Sequence, residues 1–291
     1  MCTSDGCFAT RTGLDDKNPQ IPRTPSSTST FRFVDGRWQE SPFRESVDMP
    51  GCLGVDGNVV PGSNTIVGAL SAEPQADGTL NGVLTTTTVS NECGWEGSVV
   101  ESPFVATRIG DSPAGVVIAD PSSVTTDSSK PPPGPGPSLS GVYRLAFDFA
   151  GQTANGRPVS DSPPPQIKWY AFRSQCTPTR CVAVGTSLIP GNPNQADGVD
   201  AIVLRLTDGQ WQSLPALVNF NCATNESTNW VTRTWSLATQ SDGTTQGSET
   251  LRVITSECGV VGNVYVTPLT MKRTGDVPPT VVLADPALFL Q

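Results

Sequence analysis

The sequence predicts an all-β fold: two tandem antiparallel meander barrels or curved sandwiches, each held by disulfides. Three observations carry this reading. First, the chain contains one stretch twice. Residues 92–121 (ECGWEGSVVESPFVATRIGDSPAGVVIADP) and 257–286 (ECGVVGNVYVTPLTMKRTGDVPPTVVLADP) align without a gap at an offset of 165, with 15 of 30 positions identical, which marks a tandem duplication. Second, no window shows apolar residues at helical spacing; short alternating runs closed by turn residues recur instead. Third, the composition is that of a secreted β protein. There are 28 Gly and 27 Pro in 291 residues, and charged residues make up 15%, against roughly 25% in an average soluble protein.

In chain order, the first repeat spans residues 1–121. Its strands are expected to include 7–12, 29–34, 66–72, 84–90 and 104–108, with residues 18–28 (NPQIPRTPSST) as a polar loop that has a shorter equivalent near 190–195. Residues 122–140 (SSVTTDSSKPPPGPGPSLS) are the linker. Its prolines donate no ladder hydrogen bonds and favour extended polyproline geometry, so a stiff spacer is preferred over a docking motif for an SH3-like partner. The second repeat spans 141–291. Its strands are expected at 142–149, 167–175, 181–186, 201–206, 210–213, 230–237, 249–255, 263–266 and 269–273, punctuated by TDGQ at 207–210 and SDGT at 241–244. Eight or so sequential strands joined by short turns close best as a barrel or a strongly curved sandwich.

The opening CTSDGCFATRT matches CTPTRCVAVGT, so Cys2 and Cys7 correspond to Cys176 and Cys181. Between residue 141 and Cys176 the second repeat carries two strands, GVYRLAFDF and IKWYAFRSQ, for which the first repeat has no match. The expectation is that the chain starts inside a repeat of a longer protein. The first domain would then be an open sheet, or borrow strands from a neighbouring molecule, because a meander missing a hairpin leaves unpaired backbone at its edges.

Each repeat holds four cysteines, in the order C-x4-C, then C, then C: Cys2, Cys7, Cys52 and Cys93 in the first, Cys176, Cys181, Cys222 and Cys258 in the second. An even set of this kind reads as disulfides. Zinc is the rival, but the spacing is unusual for it and the chain has no histidine. Of the three connectivities open within a repeat, pairing inside each C-x4-C and between the other two is preferred. Disulfides place the chain in an oxidising, extracytoplasmic compartment, secreted or as a membrane-anchored ectodomain. No signal peptide and no apolar run long enough to cross a membrane is present, so no membrane insertion is expected in this segment. A net charge of −9 excludes nucleic acid, which calls for clustered Lys and Arg. The 14 Arg against 4 Lys read as the codon bias of a GC-rich genome, such as an actinobacterium's.

Nothing in the chain forms a catalytic constellation, and no cofactor or metal is expected. The absence of histidine removes the Ser-His-Asp and Cys-His arrangements. Glu92 and Glu257 stand at equivalent positions in separate repeats, as do Asp120 and Asp285, which favours structural roles over a glycosidase pair. The better candidates lie on strands. In 269–273, alternation puts Leu269, Met271 and Arg273 on one face, and Phe104, Ala106 and Arg108 match them in the first repeat. Arg108 and Arg273 are therefore expected to be buried and stacked, since a buried guanidinium is costly unless it is paired. The second repeat also holds Trp169, Tyr170, Arg173, Trp230, Arg233 and Arg252, which could line a ligand mouth. The bland alternative is that such aromatics are core and such arginines are solvated.

At Gly141-Val142-Tyr143 and Arg273 the chain resembles the calycin class of up-and-down barrels. That resemblance implies an early-strand aromatic, here Tyr143, covered by an arginine of the last strand, with a barrel mouth able to take a small, mostly apolar ligand. The paired repeats, the C-x4-C start and the proline spacer resemble β-rich extracytoplasmic modules of actinobacterial envelope proteins, including the ectodomains of membrane Ser/Thr kinases. The functional expectation is a non-catalytic binding or sensing module of a bacterial cell envelope, taking a small apolar or envelope-derived ligand in the second repeat. A protein partner or self-association through the first domain is also expected. The alternative is a structural or protein-interaction unit with filled cores; a glycan hydrolase ranks last.

Overall fold

The computed structural model describes residues 2–3, 6–24, 27–54, 56–121, 138–160, 162–222 and 227–290; most of the expected linker lies outside them. Period-two burial builds the strands. In Thr228–Thr239 the side chains of Val231, Arg233, Trp235 and Leu237 are all buried in alternation, which sends one face of the strand into the core. The turns are as local as the strands. Asp35-Gly36 and Asp208-Gly209 each adopt positive φ at both residues, the signature of the tight turn that suits a hairpin's twist.

The first sheet runs through β1 (Cys2–Thr3), β2 (Gly6–Thr12), β3 (Thr28–Val34), β4 (Arg37–Glu40), β5 (Phe43–Leu53), β6 (Val59–Pro74), β7 (Leu80–Thr88) and β8 (Val99–Ala106). Its order is β1-β2-β3-β4-β6-β7-β8, with β5 paired to β6. Among the described residues nothing joins β1 to β8, so the sheet is open.

The second sheet comprises β9 (Gly141–Phe147), β10 (Thr153–Ala154), β11 (Arg157–Pro158), β12 (Gln166–Cys176), β13 (Cys181–Ile189), β14 (Asn192–Thr207), β15 (Gln210–Ser213), β16 (Ala216–Asn221), β17 (Thr228–Thr239), β18 (Thr245–Val253) and β19 (Val264–Gly275). Here β19 pairs with β9, from Leu269↔Phe147 to Gly275↔Val142. That pairing closes β9, β12, β13, β14, β15, β17, β18 and β19 into a barrel of eight strands. The interior is solid: Trp211, Trp235, Tyr170, Phe147, Phe172 and Met271 are each 1% exposed or less. Burying each large apolar side chain contributes about 1.5–3 kcal/mol.

Several expected boundaries differ. The strands expected at 263–266 and 269–273 merge into one, β19, which starts at Val264 and runs through Pro268, whose carbonyl still accepts a hydrogen bond from the Asp148 amide at 2.9 Å. The polar run near 190–195 is the tip of a long hairpin, with Ile189 opposite Asn192. The strands β5 and β16 were not expected; FRESVDMPGCL and ALVNFN mix polar and apolar residues without clean alternation.

All eight cysteines are bonded, as Cys2–Cys7, Cys52–Cys93, Cys176–Cys181 and Cys222–Cys258. The chain falls into two compact units. One gathers the described residues of 1–45, 67–86 and 100–130, and the other those of 46–66, 87–99 and 131–291. The barrel therefore shares its unit with the Cys52–Cys93 end of the first repeat. Within it, Val182, Val184, Val203, Ala284 and Phe289 form a second cluster against which Val89 and Val99 pack.

Candidate functional site

Two strands bring charge into the barrel wall. On β17 the inward phase that buries Trp235 also buries Arg233, whose side chain is 5% exposed. On β14 the same phase carries Asp200, Ile202 and Leu204. Arg233 Nη1 donates to Asp200 Oδ2 at 2.6 Å, and Nη2 donates to Oδ1 in a bidentate ion pair. The Tyr170 hydroxyl, from β12, donates a short hydrogen bond to Asp200 Oδ2. The guanidinium lies over the Trp235 ring, 5.5 Å from its centroid, and Trp235 Nε1 donates to Glu249 Oε2 at 3.0 Å. The electrostatics follow from the geometry. Burial pushes the Asp200 carboxyl pKa upward, but the Arg233 charge and its hydrogen bonds outweigh this and hold it below the ordinary carboxylate value. Burial, together with the Asp200 charge, pushes the Tyr170 phenol well above its usual range. Burial disfavours charge on Arg233, and the Asp200 carboxylate more than restores it.

Beside this pair is a cavity of ≈ 290 Å³ lined by Asp200, Arg233, Ala216, Leu217, Trp95 and Glu96, among others. Trp95 is 48% exposed. Glu96 Oε2 accepts from Arg205 Nη1 at 3.0 Å, and Oε1 takes a second, short bond from Nη2. The duplicated E-C-G-x-x-G motif explains how Trp95 is carried. Gly94 and Gly97 both sit at positive φ, and a Cβ on Gly94 would lie 2.6 Å from the Leu217 amide nitrogen, so only glycine allows the close approach. Both carboxylates at the cavity are tied to arginines, which leaves neither as a free acid or base. One donor is unsatisfied: Arg233 Nε is buried without a hydrogen-bond partner among the described residues.

Of the six residues singled out on the second repeat, the structure brings Tyr170 and Arg233 together on Asp200. Trp169 is half-buried against Val142, Ala171, Leu188 and Val281, and Trp230 is half-buried opposite Asn219. Arg173 and Arg252 are exposed. Asp200, Glu249 and Trp95 were missed; the legible clue for Asp200 was a lone acid in the phase of Ile202 and Leu204. Glu92, by contrast, is structural, its Oε2 accepting from the Ser63 amide and hydroxyl, each at 3.2 Å.

The expected burial of the two strand-end arginines is corrected. The Arg108 side chain is 75% exposed and paired to Asp111, and that of Arg273 is 48% exposed and paired to Asp276. Alternation does bury Leu269 and Met271, but Arg273 stands at the rim, where the β19–β9 register shifts between Arg273 and Gly275. From there its Nε donates to the Ser140 carbonyl at 2.9 Å. A Cβ on Gly141 would lie 2.5 Å from that nitrogen. Tyr143 is buried and meets Phe172 edge-on at 5.7 Å.

The family model of the PknI serine/threonine-protein kinase sensor domain matches residues 1–123 and 136–288. The serine/threonine-protein kinases PknI of Mycobacterium bovis and Mycobacterium tuberculosis are 36% identical over 174 residues, which is 58% of this chain and 29% of theirs. The chain thus matches less than a third of the length of those relatives. A solved monomer form of the M. tuberculosis PknI sensor domain is 32% identical, covering 53% of this chain and 99% of that one with a TM-score of 0.45. A dimer form is 34% identical, covering 46% and 90% with a TM-score of 0.38. With matches on both sides of its proline-rich stretch, the chain belongs to the PknI serine/threonine-protein kinase sensor domain family.

Proposed function

We propose that this chain is the extracytoplasmic, non-catalytic sensing domain of a membrane-anchored serine/threonine kinase, and that the cavity beside Arg233 receives a small, mostly apolar ligand bearing one hydrogen-bond acceptor. Four disulfides suit an oxidising compartment, and no helix among the described residues is long and apolar enough to cross a membrane. The observation that carries the ligand reading is the wall of this ≈ 290 Å³ cavity, where the Arg233 guanidinium can meet a ligand oxygen while Trp95 and Leu217 cover an apolar body. Native mass spectrometry of protein purified from its own host tests this. A retained small molecule that is lost in Ala216→Phe is the expected result. An identical spectrum in both proteins, or no retained molecule in either, overturns the reading.

One observation favours a second reading, a protein-interaction unit: the barrel interior is filled by side chains, which leaves no lumen for a calycin-type ligand. In that case the open edges of the first sheet, β1 and β8, are the surfaces for self-association. Sedimentation equilibrium of the 291-residue chain then shows a reversible dimer, and a strict monomer at all concentrations argues against it.

A further inference from the structure

The first unit contains a cavity of ≈ 660 Å³, part of whose lining stands at the positions that line the cavity beside Arg233. Trp38 and Trp211 align, and so do their pairings: Trp38 lies opposite Ala72, and Trp211 opposite Leu237. On that alignment Ser27, Thr28, Phe43, Arg44 and Glu45 line the first cavity where Asp200, Ala201, Ala216, Leu217 and Val218 line the second. The two hollows thus share these five positions, while Trp95, Glu96 and Arg233 border only the second and Arg11, Leu70 and Leu84 only the first.

The two hollows differ in their inner residues. Leu70 and Leu84 stand where the second repeat has Trp235 and Glu249, and both line the first cavity. Arg11 takes the place of Gly185, whose space in the barrel is filled by Phe172, 2.4 Å from an ideal Cβ. Arg11 is fixed along one edge. Its Nε donates to Ser29 Oγ at 3.1 Å, and its Nη2 pairs at 2.8 Å with Glu40, whose side chain is fully buried. Glu40 Oε2 is held in turn by the Leu70 amide at 2.9 Å. The Arg11 face lies 6.0 Å from the Phe43 ring centroid, and Nη1 makes no hydrogen bond or ion pair among the described residues. A guanidinium pinned on one edge and bordering a cavity is a preorganised donor.

We propose that this cavity is a second ligand site, for a small zwitterion with an apolar body: a short peptide with free amino and carboxyl ends. The charges in and behind the wall cancel, with Arg11, Arg23 and Arg44 against Asp16, Glu40 and Glu45. A simple anion would gain from one set and lose to the other, and it would also approach a chain of net charge −9. A molecule carrying both signs matches both. Leu14, Phe43, Leu70 and Leu84 supply the apolar floor, and the volume is within the range of ligand pockets.

Isothermal titration of the whole chain with trileucine, N-acetyl-trileucine amide and octanoate tests the site. Trileucine is expected to bind, and blocking its ends to weaken binding about tenfold or more. Leu70→Trp, which installs the residue of the second repeat, abolishes binding, and the exposed Arg44→Glu weakens it about tenfold even if the tryptophan variant fails to fold. Ala216→Phe, in the other cavity, leaves trileucine binding unchanged, so the two sites fail or stand separately. No heat with trileucine, octanoate binding as tightly as trileucine, or native-like binding by Arg44→Glu overturns the proposal.

Discussion

The two repeats share their turns, their registers and their disulfide pattern, yet one is a closed, filled barrel and the other an open sheet around a hollow. Of the buried apolar residues, the first repeat supplies Cys52, Val67, Ala72 and Cys93, while the second buries Trp211, Trp235, Tyr170 and Phe172 among many others. The difference lies in closure. In the second repeat β19 finds β9, and with β9 and β12 come Tyr143, Leu145, Phe147, Tyr170 and Phe172, which complete the interior. Among the described residues β8 has no such partner, and the strand ends at Ala106, before Arg108.

The comparison can be broken most strongly at the position where the repeats differ most. Trp235→Ala should destabilise the barrel by about 3–5 kcal/mol, as expected of a buried tryptophan, and it strands Glu249. Leu70→Ala, at the matching position of the first sheet, is half-buried and should cost about 1–2 kcal/mol. Denaturant unfolding followed by fluorescence and circular dichroism compares them, and equal losses would mean that the hollow is not a real difference.

The disulfides should come next and act alike. Cys222–Cys258 and Cys52–Cys93 close segments of 36 and 41 residues, for which chain entropy gives about 4 kcal/mol each. The double serine variant of either pair is expected to lower the unfolding midpoint by a similar amount. A loss confined to one pair would show that native contacts, not chain entropy, decide.

The buried ion pair sharpens the contrast through pH. Asp200→Asn leaves Arg233 charged and unpaired, at a cost of about 3 kcal/mol or more. In the native protein the folded Asp200 pKa lies below its unfolded value. The stability it contributes is therefore present above the unfolded pKa of about 4 and is lost as pH falls through the depressed folded value. The position matching Asp200 in the first repeat is Ser27, so acid should loosen the barrel by a route the first sheet lacks there. Acid unfolding of Asp200→Asn with the same slope as the native protein between about pH 4 and 2 would remove Asp200 from that account.

The smallest effects belong to the rim arginines. Arg273→Ala loses one hydrogen bond to the Ser140 carbonyl and an exposed ion pair, which together are worth about 1 kcal/mol. Arg108→Ala loses only an exposed pair, within about 0.5 kcal/mol of no effect. A large loss at either position would restore the buried arginine that alternation suggested.

Much of the fold was legible because its rules are local or self-similar. Alternation in 230–237 marked β17, Asp-Gly pairs marked the hairpins, and the offset of 165 exposed the duplication. Where polar and apolar residues mix, as in β5 and β16, the period is weak and the strands were missed. The site was legible only in part. Arg233 and Tyr170 could be named as unusual, but Asp200, which joins them, looked like one acid among several.

By itself the sequence determined the all-β class, the two copies and the even set of eight cysteines, and it showed the kinase-ectodomain kinship as a resemblance. Each of these rests on periodicity, repetition, cysteine count or overall pattern, none of which requires knowing what touches what. Only the tertiary structure decided that one copy closes and the other does not, that Arg273 reaches the rim, and that Tyr170, Asp200 and Arg233 meet across three strands. Period two says which side chains point inward. Which inward side chains meet depends on register and closure, and those are properties of the whole sheet.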